Sequence, residues 1–227
     1  MEKLKNNKEL EGIIVVDKPG GITSHDVVDA VRRRLGIRQV GHAGTLDPLA
    51  TGVLIILVGK ATKLFPKFSQ LDKEYEAELR LGVSTTSGDK EGEVVKVQPY
   101  HHLTPSEIEE AVLSFQGQLF QKPPMMSALH YKGKRLYKLA RRGKFVNLAP
   151  RRIHIYDIKV KEINIPYVKL YLRCSSGTYV RKLAEDIGER LSCGAHVVKI
   201  RRLSVGKFSL AESVSLEGLN ETHIRPA

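Results

Sequence analysis

Asp47 is the side chain in this sequence best placed to act as an acid, a base or a nucleophile. It stands in GHAGTLDPLATGVL (41–54), with Arg38 the nearest cation before it and Lys60 the nearest after. An Asp-Pro pair alone is ordinary turn chemistry. Here Gly41, Gly44 and Gly52 let a backbone or a ligand approach closely, Pro48 stiffens the turn, and the apolar run from Val53 ties the loop to a core. A carboxylate on a loop anchored to a rigid strand is where a catalytic acid is placed. Arg181 is the matching cation. It follows SSGTY in the first turn of an apolar-faced helix, where the helix dipole disfavours positive charge. It therefore calls for an anionic partner, either Glu185 one turn on or Asp47. Tyr75 and Tyr179, judged by residue type, are core aromatics with satisfied hydroxyls.

Other motifs carry less. Gly59-Lys60-Ala61-Thr62 looks like the end of a phosphate loop, but the preceding glycine is too distant. No G-x-G-x-x-G is present, so a dinucleotide site has no support. His101-His102 lack the neighbouring ligands a metal needs, and Cys174 and Cys193 are too few for a disulfide framework. No apolar run approaches a membrane span, and the N-terminus has no signal-peptide stretch, which points to the cytoplasm.

The 227-residue chain carries a net charge of +12, which favours a polyanionic partner. From Leu129 to Arg152 there are nine cations and no acid: Lys132, Lys134, Arg135, Lys138, Arg141, Arg142, Lys144, Arg151 and Arg152. Interleaved with Tyr131, Tyr137 and Phe145, this stretch is suited to track a phosphate backbone. It has no long helix with the apolar face a membrane surface would require.

The elements that position these groups are legible from pattern. A short strand at Gly12–Val16 leads through a Lys-Pro-Gly-Gly turn to a helix capped by Thr23 and Asp26 and closed by Gly36. Val53–Val58 is apolar on both faces, as a central strand is. Residues 74–81 alternate strictly, with Tyr75, Ala77, Leu79 and Leu81 on one face. Thr104, Pro105 and Glu107 open a helix expected to end near Gly117. Strands at 153–160 and 167–174 precede the Arg181 helix, and Val197–Ser204 is a further strand. This is an α+β chain with a mixed, largely antiparallel sheet and flanking helices, expected as one domain (1–227) with a basic insertion at about 122–152.

At this point the chain resembles the TruB family of tRNA pseudouridine synthases. VVDKPGGITS, GHAGTLDPLATGVL, KEYEAELRLG, PPMMSALHYKGKRLYKLARRG, CSSGTYVRKLAEDIGE and CGAHVVKIRRLSVGKF carry the likeness in order, from about residue 11 to 217. The resemblance implies the pseudouridine synthase fold and isomerisation of uridine 55 in the T-loop of tRNA. It implies that Asp47 is the essential acid, that Arg181 pairs with it, and that Tyr75 stacks on the flipped uracil and is a candidate base for the C5 proton. His42 would contact the T-loop, Tyr179 would line the pocket, and Ile200 would take an apolar pocket position. Lys18 and Pro19 would be mainly structural. The 129–152 segment would clamp RNA, with Lys132, Lys134, Arg135, Lys138, Arg141 and Arg142 on the backbone. Many bacterial members carry a further C-terminal RNA-binding domain, so a short form without it is expected here, a monomer by family default.

Pseudouridine forms when N1–C1′ breaks and C5 of the same uracil bonds to C1′. No electron, water or group donor is consumed, so no cofactor or metal is expected. Two other functions compete. A guide-RNA-dependent synthase would share the Asp47 motif but would work with partner proteins. A tRNA-folding chaperone would need no acid in its pocket.

Overall fold

The computed structural model describes residues 10–140 and 142–227. It divides into two compact units, Met1–Leu71 with Ser204–Ala227, and Asp72–Leu203.

The first unit runs β1 (Gly12–Lys18), α1 (Ser24–Leu35), β2 (Val40–Ala43), β3 (Thr51–Val58) and α2 (Phe65–Ser69). β1 and β3 are antiparallel in unbroken register from Gly12 opposite Val58 to Lys18 opposite Gly52. Seven of the eight residues of β3 are buried, as its two apolar faces require. α1 starts where predicted: the Asp26 amide donates to Thr23 Oγ1 at 3.1 Å, and the Thr23 amide donates to Asp26 Oδ2 at 2.7 Å. It stops at Gly36, whose φ of 65° places it in the left-handed region that glycine enters without strain. β2 was not foreseen. The glycine-rich motif begins as a strand, with His42 opposite Ile56 of β3. A short run with two small residues in four offers too little periodicity to read.

The second unit runs β4 (Lys73–Leu81), β5 (Val83–Thr85), β6 (Val94–Val97), α3 (Pro105–Leu113), β7 (Gly117–Gln121), β8 (His130–Tyr131), β9 (Lys134–Arg135), α4 (Leu136–Ala140), β10 (Arg151–Asn164), β11 (Tyr167–Cys174), α5 (Val180–Arg190) and β12 (Ala195–Val205). Its sheet has the order β12-β4-β11-β10-β7. The pairs β4–β11, β11–β10 and β10–β7 are antiparallel. Alternation puts Tyr75, Ala77, Leu79 and Leu81 on the buried face with Leu170, Leu172, Ile153 and Ile155. α3 lies against β10 and α5 against β4, which covers that face. The α+β, largely antiparallel architecture is the one the pattern indicated.

α3 ends at Leu113 rather than near Gly117. The amides of Phe115 and Gln116 donate to the carbonyls three residues back, tightening the last turn. Gly117, at φ 110°, cannot continue a helix and instead opens β7. The chain re-enters the first unit at Ser204, where Ser204 and Val205 pair with β13 (Phe208–Ser209). Val205 and Phe208 join Ile13, Val15, Val53, Ile55, Leu57 and Phe68 in that unit's core.

Candidate functional site

Asp47 lies in the loop between β2 and β3, half-buried, and its two chain neighbours are held from different directions. On one side, Ser24 at the start of α1 is buried. Its hydroxyl accepts from the Leu46 amide at 2.9 Å and donates to the Leu46 carbonyl at 3.1 Å. On the other, the Lys18 ammonium, fully buried, donates to the carbonyls of Pro19 (2.8 Å), Ile22 (2.7 Å) and Pro48 (3.2 Å). The Gly21 amide also donates to the Pro48 carbonyl, at 2.9 Å, and the Ala50 amide to that of Asp47, at 3.1 Å. A buried ammonium is tolerated only when its donors are used, and here they staple the Lys-Pro-Gly-Gly turn to the Asp47 loop. The carboxylate is thereby presented on a backbone with little freedom. His42 is half-buried on β2 of the same unit.

In the second unit, Arg181 is 4% exposed. Its Nη1 donates to the Ser87 carbonyl at 2.7 Å and its Nη2 to the Met126 carbonyl at 2.8 Å. Its Nε lies 3.7 Å from Asp89 Oδ2. Asp89, also buried, accepts at Oδ1 from the Ser87 hydroxyl (2.6 Å) and the Glu91 amide (3.1 Å). Asp89 is thus one anionic neighbour of this cation in the first turn of α5, and sequence reasoning did not single it out. Its signal was the Gly88-Asp89 turn after β5. Glu185, the candidate one turn on, pairs instead with Lys182 at 3.2 Å, and burial raises its pKa. The guanidinium is gripped as a fork by two separate segments, the 87–89 turn and the chain at Met126, a geometry that an ammonium cannot reproduce.

Tyr75 is buried on β4, opposite Leu172. Two residues before it on the same face, Lys73 is buried too. Desolvation and the neighbouring buried Arg202 push its pKa down to about 8. Tyr179 is half-exposed at the N-cap of α5, its backbone clamped by Gln121. The Tyr179 amide donates to Gln121 Oε1 at 2.8 Å, and Gln121 Nε2 donates to the Tyr179 carbonyl at 3.2 Å. Nothing in the sequence marked Gln121. Ile200 is buried on β12.

The basic segment folds into a small projection. β8 and β9 form a hairpin around Lys132 and Gly133, both at positive φ, followed directly by α4. Leu136 is fully buried and roots the segment. Lys132, Lys134, Arg135, Lys138 and Arg142 are at least partly exposed, while Arg141 lies outside the described residues. Arg151 and Arg152 belong to β10, paired with β7, rather than to a loop. Of the α1 arginines, Arg32 is tied to Asp29 (2.9 Å) and to the Val40 carbonyl (2.8 Å), and Arg34 donates to the Leu216 carbonyl.

Solved structures share this fold. A chain of a Cbf5–Nop10–Gar1 complex matches with a TM-score of 0.73 and 28% identity, over 96% of this chain and 60% of that one. A chain of an archaeal box H/ACA sRNP Nop10–Cbf5 complex matches with a TM-score of 0.69 and 26% identity, over 95% and 55%. The fold is that of the pseudouridine synthases. Residues 32–180 match the TruB family pseudouridylate synthase N-terminal domain, and 181–225 match the tRNA pseudouridylate synthase B C-terminal domain. The chain belongs to the TruB family. It is 45% identical over 216 residues to tRNA pseudouridine synthase B of Opitutus terrae, covering 95% of this chain and 90% of that one. It is 50% identical over 212 residues to that of Geobacter sulfurreducens, covering 93% and 70%. A C-terminal family segment is therefore matched inside this chain, across α5, β12 and β13.

Proposed function

We propose that this protein isomerises uridine to pseudouridine in tRNA, at position 55 of the T-loop, without a guide RNA. The observation that carries the reading is the Asp47 loop: the family motif is intact, and its carboxylate sits on a backbone pinned by Lys18 and Ser24. Relatives at 45–50% identity named tRNA pseudouridine synthase B favour a tRNA substrate over the guided class, whose chains match at 26–28%.

The target base is extruded from its loop, at a cost of a few kcal/mol, and stacked on an aromatic platform for which Tyr75 is the candidate. Asp47 then either attacks C1′ or removes a sugar proton to give a glycal-like intermediate. In both routes N1–C1′ breaks and the uracil turns; C5 then bonds to C1′, displacing the Asp47 carboxylate in the first route or adding to the glycal as Asp47 returns the sugar proton in the second, after which the C5 proton leaves and N1 gains one. Burial under a base would favour the neutral acid. The resemblance gives Arg181 the role of counter-cation that keeps Asp47 ionised. Tyr179 and Ile200 would shape the pocket, and His42 would meet the rearranged loop.

Release of tritium from [5-³H]uridine in an unmodified tRNA transcript tests the reading. Asp47→Ala should abolish release while tRNA still binds; full activity in that variant refutes the assignment. Replacing Lys138, Arg141 and Arg142 with Ala should flatten the salt dependence of tRNA binding by roughly 0.7–0.9 log units for each phosphate that is no longer neutralised. An unchanged slope would place the projection away from the RNA.

A further inference from the structure

The face of the second unit's sheet opposite α3 and α5 carries a row of side chains that the proposed chemistry does not use. Phe120 on β7 is 76% exposed and lies directly across from Arg152 on β10. Two residues along the same face, His154 stacks on Tyr156 with ring centroids 4.4 Å apart and planes at 29°. The Arg173 guanidinium on β11 sits 5.3 Å from the Tyr156 ring centroid. The Tyr156 hydroxyl donates to Asp72 at 3.3 Å, which fixes the ring. Of the nearby acids, Asp157 is paired with Lys159 at 2.8 Å and Glu74 lies across the strand from Arg173.

We infer that this row is a second RNA surface, one that takes an unpaired strand and is separate from the pocket for the reacting uridine. Three observations support it. Phe120 and the His154–Tyr156 stack lie beside the guanidiniums of Arg152 and Arg173, which suits bases and phosphates side by side. A protein partner would favour a continuous apolar patch, whereas here the one large exposed apolar group of the row, Phe120, stands across from Arg152. A duplex hides its base faces, so only unpaired nucleotides can use such rings. The row also continues into the basic projection, since β7 and β10 are the strands that leave for it and return from it. The inference rests on the proposed function for its RNA substrate, and it assigns a contact outside the T-loop.

The test uses the whole chain and two substrates. A fluorescein-labelled, unstructured RNA of about ten nucleotides reports on the surface by anisotropy. An isolated T-arm hairpin reports on isomerisation by tritium release. Phe120→Ala combined with His154→Ala should weaken binding of the unstructured RNA about tenfold while hairpin turnover is unchanged, which also shows that the variant folds. Phe120→Trp, which keeps a stacking face, should bind it as the parent does. Equal binding of that RNA by parent and double variant overturns the inference, as does its failure to bind the parent. A parallel fall in hairpin turnover also overturns it, since the row would then be structural. Failure of the proposed function itself would look different: the parent would leave the hairpin unmodified, whatever the unstructured RNA does.

Discussion

Asp89→Asn removes one charge from beside Arg181 and changes little else in size. The two side chains are 5% and 6% exposed and 3.7 Å apart, so solvent screens them weakly. At that separation and an effective dielectric near 20, their attraction is about 4 kcal/mol, part of which offsets desolvation. Removing one member of a buried pair leaves the other uncompensated and typically costs about 3–5 kcal/mol. The amide retains an oxygen for the Ser87 hydroxyl and the Glu91 amide, so the turn itself should persist. We expect urea unfolding to register a loss of about 3 kcal/mol. The Asp89→Asn/Arg181→Met double variant should lose clearly less than the sum of the single changes. Under the role proposed for Arg181, tritium release should fall at least tenfold in kcat with KM nearly constant, because that role acts on the chemical step. A variant within about 0.5 kcal/mol of the parent, with full turnover, would show that the carbonyls of Ser87 and Met126 hold Arg181 without help, and the electrostatic reasoning would fail.

Ser24→Ala should leave the Leu46 amide and carbonyl unsatisfied in the interior, costing roughly 1–3 kcal/mol and loosening the Asp47 loop. Denaturation should register the loss, and single-turnover rates should drop while tRNA affinity holds. Lys73 gives a pH signature. Its pKa falls from 10.5 to about 8 on folding, so between those values the unfolded chain binds more protons, and stability rises with pH across that window. Below pH 8 both forms are charged and the full penalty, about 3 kcal/mol, persists. Lys73→Met should raise Tm at pH 7 and flatten the rise; parallel pH curves for parent and variant would count against it.

Much of the fold is visible in residue pattern because the signals are local. The Thr23–Asp26 and Thr104–Glu107 caps join residues three apart, and the alternation of 74–81 needs only a two-residue period. Asp47 was visible for the same reason, since its glycines, proline and following apolar strand are contiguous. Lys18 was legible as structural, but not the three carbonyls it reaches, one of them 30 residues away. β2 and β7 were missed because each is short and its pairing partner, not its composition, makes it a strand.

Sequence alone determined where the carboxylate stands, the strand after it that anchors its loop, and that the chain is strongly basic. Those properties reside in neighbouring residues and need no knowledge of the fold. Only the tertiary structure decided that Asp89 pairs with Arg181, that Gln121 clamps the start of α5 and that Ser24 holds the Asp47 loop. Each of these is a contact between positions 22 to 92 residues apart, made possible by strand register and helix packing, and a buried polar group takes whichever partner the fold brings within reach.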